Sequence, residues 1–359
     1  MSSFVTLSKL LGQPSAVAAL TALATQRDEP VPPLLFQGPE GVGKRTAALA
    51  FCAALVCQQP RGVDACGTCA CCQRIVQAHE VTALRAGSSS GDSARHLPDA
   101  GFIGIPQGKT RVSILQARDI ALSLTQQPYE LSRRIYIVDP ADSLTNAAAN
   151  ALVKVLEEPP LHAVLILIAS APWALPVTVR SRLTALRFRA LPQEIVLTLL
   201  VAGGMNEADA AARAALSRGS VARALALDPM QERERLALWC EVLERLARGE
   251  RAAAIAVGMS ERVTGDPDAA RAALEQLLDV LRDGVAAHTG NAPLVLTREQ
   301  AARLAPLTPR LLGPAGDRAA LVERLRAELV IFNRNPRLAV EGAVLALGGA
   351  LHASDLPAI

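Results

Sequence analysis

The chain has 359 residues, half of them hydrophobic and only 3% aromatic, with 37 Lys and Arg against 34 Asp and Glu. A chain of this length and composition is expected to form two or three domains with buried cores, which excludes extensive disorder. The net charge of +3 neither requires nor excludes nucleic acid as a partner, and the lack of a signal-peptide layout or a long apolar run predicts a cytoplasmic protein without membrane spans.

The first half of the sequence alternates predicted helices and strands. Residues 14–26 have helical apolar spacing, and the apolar segment PPLLFQG runs into a glycine loop that opens a second helix. The segments RRIYIVDPAD and AVLILIAS predict two more buried strands. TNAAANALVKVLEEPP predicts a helix capped by Thr145 and stopped by Pro159. The Gly-, Ser- and Pro-rich segment 87–110 is predicted to be mostly a surface loop.

Strand signals fade after residue 190, and long helices rich in Ala, Leu and Arg follow. The pattern predicts an α/β protein with three parts. Residues 1–182 would form a P-loop-type parallel-sheet domain with a cysteine module at 57–72. Residues 183–232 would form a small helical lid domain, and residues 233–359 an all-α C-terminal domain.

The glycine loop GPEGVGKRT follows the phosphate-loop pattern except at one position. Gly38, Gly41 and Gly43 would let backbone N–H groups point into one cavity, and Lys44 would reach the β- and γ-phosphates. Arg45 stands where a hydroxyl should hold magnesium, and a cation at that position repels the ion. The loop therefore predicts a phosphate-binding shape in which ATP binding is doubtful.

The strand IYIV ends in the acidic turn DPAD. Asp139 lies at the position of the carboxylate that holds magnesium in such sites, but Pro140 replaces the glutamate that activates water. Proline has no basic group, so the chain is not expected to hydrolyse ATP.

Four cysteines, beginning with the last residue of the second predicted helix, have spacings that suit a metal ion. Cys57, Cys66, Cys69 and Cys72 could surround Zn²⁺ with four thiolates, which leaves no open coordination position and indicates a structural role. A register that uses Cys71 in place of Cys72 remains open. The two cysteines outside this segment fit a buried core. A clustered, odd number of cysteines without an export signal argues against disulfides.

The glycine loop, the cysteine cluster, NALVKVLEEPP (150–160) and TVRSRL (178–183) together resemble the clamp-loader subunits of bacterial DNA polymerase III, members of the AAA+ superfamily. The resemblance extends from LLGQ to about residue 230. With Arg45 and Pro140, the chain is similar to the delta-prime branch, whose ATP site has decayed. The resemblance implies an AAA+ fold and a C-terminal collar domain. It also implies gamma/tau and delta as partners and, through the complex, the sliding clamp and primed DNA.

The same resemblance implies roles for individual residues. The family's Ser-Arg-Cys motif matches Ser181–Arg182–Leu183, which implies that Arg182 is an arginine finger acting on the ATP of a neighbouring subunit. The alternative is a solvated basic cluster of Arg182 with its neighbouring arginines. Weaker matches are Ser170 with the sensor-one position, Arg223 with sensor two, and Arg118 with a position that contacts the DNA backbone without reading sequence.

Two other functions remain open from the sequence. One is an active gamma-type clamp-loader ATPase, which would have to bind magnesium despite Arg45 and activate water without a glutamate at position 140. The other is a zinc-stabilised DNA-binding module, which the near-neutral charge and the scarcity of aromatic residues disfavour.

Overall fold

The computed structural model describes residues 5–85, 99–105, 111–262, 266–313, 316–332, 335–352 and 354. The chain divides into two compact units. The first comprises Met1–Gly203 together with Gly219–Arg223, and the second comprises Gly204–Arg218 together with Ala224–Ile359. The predicted lid segment 183–232 is divided between the two units, and the three-domain boundaries stay a prediction.

All five strands in the described part of the chain belong to the first unit. The strands are β1 (Leu34–Gln37), β2 (Ala100–Ile103), β3 (Arg134–Val138), β4 (Ala163–Ala169) and β5 (Thr184–Arg187). The helices are α1 (Pro14–Thr25), α2 (Lys44–Val56), α3 (Ala70–Arg85), α4 (Ile114–Thr125), α5 (Asn146–Ala151), α6 (Val153–Glu157), α7 (Val177–Arg180) and α8 (Gln193–Ala202). Short 3-10 turns occupy Leu7–Lys9, Ala141–Ser143 and Pro172–Ala174.

The five strands form one parallel sheet in the order β2-β3-β4-β1-β5. Successive residues of β4 point to opposite faces, as the pleat requires. Val164, Ile166 and Ile168 pack in one core with α1, α2 and α3, while Leu165 and Leu167 pack in the other with α4, α5 and α6. Burial on both faces explains why this strand is apolar without alternation. The predicted α/β parallel-sheet fold is confirmed.

Three strands and the main helices agree with the sequence prediction, and two edge strands do not. The segment 87–110, predicted to be mostly loop, lies partly outside the described residues, but Ala100–Ile103 within it is the buried strand β2. Thr184–Arg187 is the mostly exposed strand β5. The predicted helix after Thr145 is present as α5 and α6, which meet at Leu152. Thr145 caps it as predicted, because its hydroxyl accepts a hydrogen bond from Ala148 N at 3.1 Å.

The described residues of the second unit form helices joined by loops, with no strand among them. Its helices are α9 (Glu207–Leu216), α11 (Pro229–Ala247), α12 (Ala252–Ser260), α13 (Pro267–His288), α14 (Arg298–Leu304), α15 (Thr308–Leu312), α16 (Asp317–Phe332) and α17 (Pro336–Leu347), while α10 (Val221–Ala226) begins in the first unit and ends in the second. The long helix α13 packs against α11, α14, α15, α16 and α17. Trp239 of α11 is fully buried in this core.

Both units use a buried carboxylate to close a turn. Asp99 accepts hydrogen bonds from the backbone N–H groups of Tyr129, Glu130 and Leu131, and Arg134 pairs with it at 3.0 Å. Asp283 in α13 likewise accepts from three consecutive backbone N–H groups, at residues 294, 295 and 296. Such bonds pair each buried carboxylate with three successive backbone N–H groups of a loop.

Among the described residues, none of the helices combines the length and the apolar character needed to cross a bilayer.

Candidate functional site

The glycine loop lies between β1 and α2, in the order strand, loop and helix that the sequence predicts. Gly38, Gly41 and Gly43 all have positive φ, and Gly43 is the N-cap of α2. A β-carbon at Gly38 would collide with the carbonyl oxygen of Phe188, and one at Gly41 with the hydroxyl of Ser220. These two positions therefore require glycine because backbone and side chains of the same unit approach them closely.

The glycine loop is hydrogen-bonded to the segment that begins α10. The backbone N–H of Val221 donates to the carbonyl oxygen of Gly41 at 2.9 Å. Gln13, which is buried, also contacts the loop, because its amide nitrogen donates to the carbonyl oxygens of Val42 at 3.3 Å and Arg189 at 2.7 Å. Two other parts of the first unit therefore hydrogen-bond to the loop.

Lys44 folds back onto the loop itself. Its ammonium group donates to the carbonyl oxygens of Gly38 and Pro39, the latter at 2.6 Å, and to the hydroxyl of Ser170 at 3.1 Å. The side chain is buried, and burial lowers the pKa of Lys44 below its ordinary value, against the opposing attraction of Asp139, Glu40 and Asp142. All three donors of the ammonium group thus have partners within the chain.

Arg45 pairs with Asp139 across the sheet edge. The Nε atom of Arg45 lies 2.6 Å from Oδ2 of Asp139, which follows the last residue of β3. The Arg45 side chain is 54% exposed and that of Asp139 17%. The carboxylate expected to face a magnesium ion is therefore neutralised by a side chain of the same unit.

Asp142 also belongs to this edge, although the sequence does not predict a role for it. It lies in the 3-10 turn after Pro140, and its Oδ2 accepts hydrogen bonds from Ser170 N at 3.1 Å and Ala171 N at 2.8 Å. Of the two carboxylates in the segment DPAD, Asp139 thus pairs with Arg45, and Asp142 accepts hydrogen bonds from the two residues that follow β4. Because the carboxyl ends of parallel strands meet at one edge, β1, β3 and β4 bring Lys44, Asp139 and Ser170 together there.

The four cysteines predicted as zinc ligands meet in a second cluster. The sulfur atoms of Cys57, Cys66, Cys69 and Cys72 all lie within 4.8 Å of one another. The measured pairs are 3.9 Å for Cys57 and Cys69, 4.0 Å for Cys66 and Cys72, and 3.4 Å for Cys69 and Cys72. Zn–S bonds of about 2.3 Å in a tetrahedron separate the sulfurs by about 3.8 Å. The cluster has the dimensions of a four-thiolate metal site, and Cys71 is not part of it.

The surroundings of the sulfurs also suit a metal. Backbone N–H groups of Cys66 and Cys69 point at the sulfurs of Cys57 and Cys66, at 3.2 and 3.3 Å. Hydrogen bonds from the backbone of Thr68 and Cys69 lower the pKa of the Cys66 thiol to about 6, while burial raises that of Cys72. A buried thiolate at Cys72 requires a compensating cation, which a zinc ion in the centre would supply.

The cysteine segment is attached to several parts of the first unit. Asp64 within it accepts hydrogen bonds from the backbone N–H of Ser8, at 3.1 Å, and from the Ser8 hydroxyl. Arg27 donates to the carbonyl oxygen of Cys57 at 3.3 Å. Arg74 of α3 pairs with Glu130 in the loop before β3. The segment therefore connects the N-terminal region, α3 and the loop before β3.

Arg182 lies outside both clusters, just after the short helix α7. Its Nε donates to Oε1 of Glu157 at 2.8 Å, and Nη1 donates to the carbonyl oxygen of Thr178 at 2.6 Å. The Arg182 side chain is 34% exposed. Glu157 belongs to the motif NALVKVLEEPP, but the motif alone does not predict its contact with Arg182.

The three weaker candidates from the sequence, Ser170, Arg118 and Arg223, lie in different parts of the first unit. Ser170 contacts Lys44, as described above, so it belongs to the glycine-loop edge. Arg118 is exposed on α4. The backbone N–H of Arg223 donates to the hydroxyl of Ser220 at 3.1 Å, in the segment that is bonded to the glycine loop.

Comparison with known proteins gives a family match over the first unit. The family described as "DNA polymerase III, delta subunit" matches residues 12–192. That range includes the glycine loop, the cysteine cluster and Arg182.

Individual relatives carry related names. The chain is 34% identical to the protein named DNA polymerase III subunit delta' of Pseudomonas aeruginosa over 41% of its own length, and spans only 40% of the length of that relative. It is 30% identical to the delta' subunit of Escherichia coli K12 over 81% of this chain and 82% of that protein. It is 29% identical to the tau subunit of Bacillus subtilis over 52% of this chain and 29% of that protein.

Proposed function

This chain belongs to the DNA polymerase III delta-subunit family, in its delta-prime branch, and on that premise we propose that it is a clamp-loader subunit that does not hydrolyse ATP itself. Its partners would be gamma/tau and delta. The assembled loader would place the sliding clamp on primed DNA in the cytoplasm, and the C-terminal helices of the second unit would join the collar of the complex.

The pairing of Arg45 with Asp139 supports a non-hydrolysing role most directly. An ATP site needs a free carboxylate at this strand end and a lysine that faces the phosphates. Here Asp139 lies 2.6 Å from the Arg45 guanidinium. Pro140 offers no basic group for water. An active gamma-type site would have to bind magnesium despite this ion pair and activate water without a glutamate at position 140.

The proposed contribution to catalysis is Arg182, donated to the ATP site of a neighbouring ATPase subunit. An arginine finger must reach beyond its own subunit and present N–H groups to the charge that develops on the γ-phosphate. The partial exposure of Arg182 after α7 is compatible with such a reach. Arg182 would then act in trans, and this subunit would be required for turnover although it performs none.

The proposed metal is Zn²⁺ held by Cys57, Cys66, Cys69 and Cys72. The four sulfurs leave no open position for a substrate, so the ion would be structural. Bound there, it would stabilise the attachments of the cysteine segment to Ser8, Arg27 and α3.

Reconstitution of the complete loader tests the proposal. Wild-type chain or Arg182→Ala would be purified with gamma/tau and delta from the same organism, and DNA- and clamp-stimulated ATP hydrolysis would be measured. Arginine fingers raise kcat by about 10³–10⁵ at the site that they serve, so Arg182→Ala should abolish the share of turnover from that site and leave assembly intact. Arg187→Ala, an exposed arginine of β5, is the matched control.

Three outcomes contradict parts of this proposal. Full ATPase activity with Arg182→Ala would show that Arg182 is not a finger. An equal loss with Arg187→Ala would indicate a general effect of the basic cluster. Failure of gamma/tau and delta to copurify with the chain would favour the zinc-stabilised DNA-binding module instead.

A further inference from the structure

Glu157 is the residue in contact with the proposed finger, and the proposed function gives it no role. It is the last residue of α6, whereas Arg182 lies after α7. Both Nε and Nη2 of Arg182 donate to Oε1 of Glu157, the former at 2.8 Å. The carboxylate therefore contacts one whole edge of the guanidinium.

A third bond fixes the opposite end of the same guanidinium. Nη1 of Arg182 donates to the carbonyl oxygen of Thr178 at 2.6 Å, and Ser181 Oγ lies 3.5 Å from the same nitrogen. A planar guanidinium has five N–H groups in a rigid fork. Bonds at two edges determine its plane and direction, while one N–H on Nη2 stays available for a further acceptor. With 34% of the side chain exposed, that acceptor can come from solvent or from another molecule.

We propose that Glu157 is a positioning residue for Arg182, holding the guanidinium in the orientation in which it meets the γ-phosphate of the neighbouring subunit. This inference rests on the proposed function of Arg182 as a finger. A free arginine side chain samples many rotamers, and a fixed one loses little freedom when it binds. Fixing the guanidinium would therefore raise the rate of catalysis, because small misplacements of an orienting group lower the rate strongly.

The ion pair between Glu157 and Arg182 is partly exposed to water, so it can open and re-form. Glu157 is 46% exposed, so water screens its attraction for Arg182 and the pair contributes little to folding. A triphosphate with several negative charges can therefore share the guanidinium without competing against a strong internal bond. Glu157 thus orients the Arg182 guanidinium without holding it so strongly that it could not bind a phosphate.

The test uses the loader assembled with gamma/tau and delta and compares Glu157→Ala with Glu158→Ala. Glu158 is the adjacent exposed carboxylate, so the matched variant removes the same charge one residue away. The measured quantity is ATP turnover at the site that Arg182 serves, which is the share of the total kcat of the loader that Arg182→Ala abolishes. Glu157→Ala should lower kcat for that share about two- to fivefold, the range that an exposed ion pair can supply, with the KM for ATP unchanged, because the finger acts in the transition state.

Two further variants separate positioning from a structural effect. Glu157→Gln keeps an acceptor oxygen and should recover part of the lost kcat. The double variant Glu157→Ala/Arg182→Ala should be no slower than Arg182→Ala alone, because Glu157 acts only through the arginine. Co-elution with the partner subunits should be unchanged in every variant.

The outcomes are distinguishable from a failure of the finger itself. Wild-type kcat with Glu157→Ala, while Arg182→Ala is impaired, would overturn the positioning role and leave the finger intact. Faster turnover with Glu157→Ala would also overturn it, since the carboxylate would then hold the arginine back. No loss with Arg182→Ala would refute the proposed function and this inference together.

Discussion

Arg45 and Asp139 form an ion pair in which Nε and Oδ2 are 2.6 Å apart. The arginine follows the loop lysine at the start of α2, and the aspartate follows the last residue of β3. Because more than half of the Arg45 side chain is exposed, the pair adds little to folding stability. The consequence of the pair is local. Arg45 already neutralises the negative charge of Asp139 that a divalent cation would need at this edge.

Replacing Arg45 by threonine should therefore change cation binding more than stability. Arg45→Thr removes the paired cation and restores a hydroxyl beside Lys44. A unit charge close to a bound ion opposes it by several kcal/mol at an effective dielectric constant near 20. We expect Mg²⁺-dependent binding of a fluorescent ATP analogue to become about tenfold tighter or more, as measured by titration. Arg235→Thr, on a helix of the second unit, serves as the control.

The same variant should still fail to hydrolyse ATP. Pro140 remains where a water-activating glutamate would stand, so no side chain at that position accepts a proton. We expect turnover at background level for both the wild-type chain and Arg45→Thr, measured by phosphate release from the isolated proteins. Robust turnover by the wild-type chain would support the gamma-type ATPase instead.

Zinc content should depend on the four clustered cysteines and not on their neighbour. Cys66→Ser removes one of four thiolates and should lower the bound zinc well below one ion per chain, by metal analysis of the purified protein. Cys71→Ser changes a thiol of the same segment outside the cluster and should leave the zinc content as in the wild type. Equal zinc loss in both variants would favour the register that uses Cys71, and a zinc-free wild-type chain would remove the metal proposal.

Asp99 should contribute strongly to the stability of the first unit. Its side chain is fully buried beside Arg134, which is 11% exposed. Removing one member of a buried pair costs about 3–5 kcal/mol, so we expect Asp99→Asn to lower the free energy of unfolding by about 3 kcal/mol in urea titrations. The exposed Asp119→Asn on α4 should change it by less than about 0.5 kcal/mol.

The effect of Asp99 should depend on pH in a defined direction. Burial raises the pKa of Asp99, but hydrogen bonds from Glu130, Leu131 and Tyr129 and the charge of Arg134 together hold it below its ordinary value. The contribution to stability is thus complete above pH of about 4 and decreases as the pH falls through the lower pKa of the folded state. Wild type and Asp99→Asn should converge in stability in acid. A constant difference down to pH 2 would show that ionisation of Asp99 is not the cause.

The sequence predicts the parts of the fold that repeat a simple pattern. Strands β1, β3 and β4 are central and buried on both faces, so their apolar segments are unmistakable. The two missed strands are at the edges of the sheet. β5 is largely exposed and includes an arginine, and β2 is short, contains Gly101 and follows a Gly- and Ser-rich segment, so neither has a strong apolar signature.

The candidate site was predictable where ligand type and spacing are local. The cysteine cluster needs only the spacing between positions 57 and 72, and the structure brings its four sulfurs together. Partners far apart in sequence were not predictable. Glu157 meets Arg182 across 25 positions, and Asp142 meets Ser170 across 28. Such pairs depend on which strand and helix ends the sheet places side by side.

The Arg45 guanidinium is tethered to the same folded unit as the carboxylate that it neutralises. A tethered group acts at a local concentration that is independent of the solution around it and is commonly in the millimolar range or above. Free magnesium must compete with that fixed supply of positive charge. Changes in the concentration of free magnesium should therefore have little influence on the charge balance at this edge of the sheet.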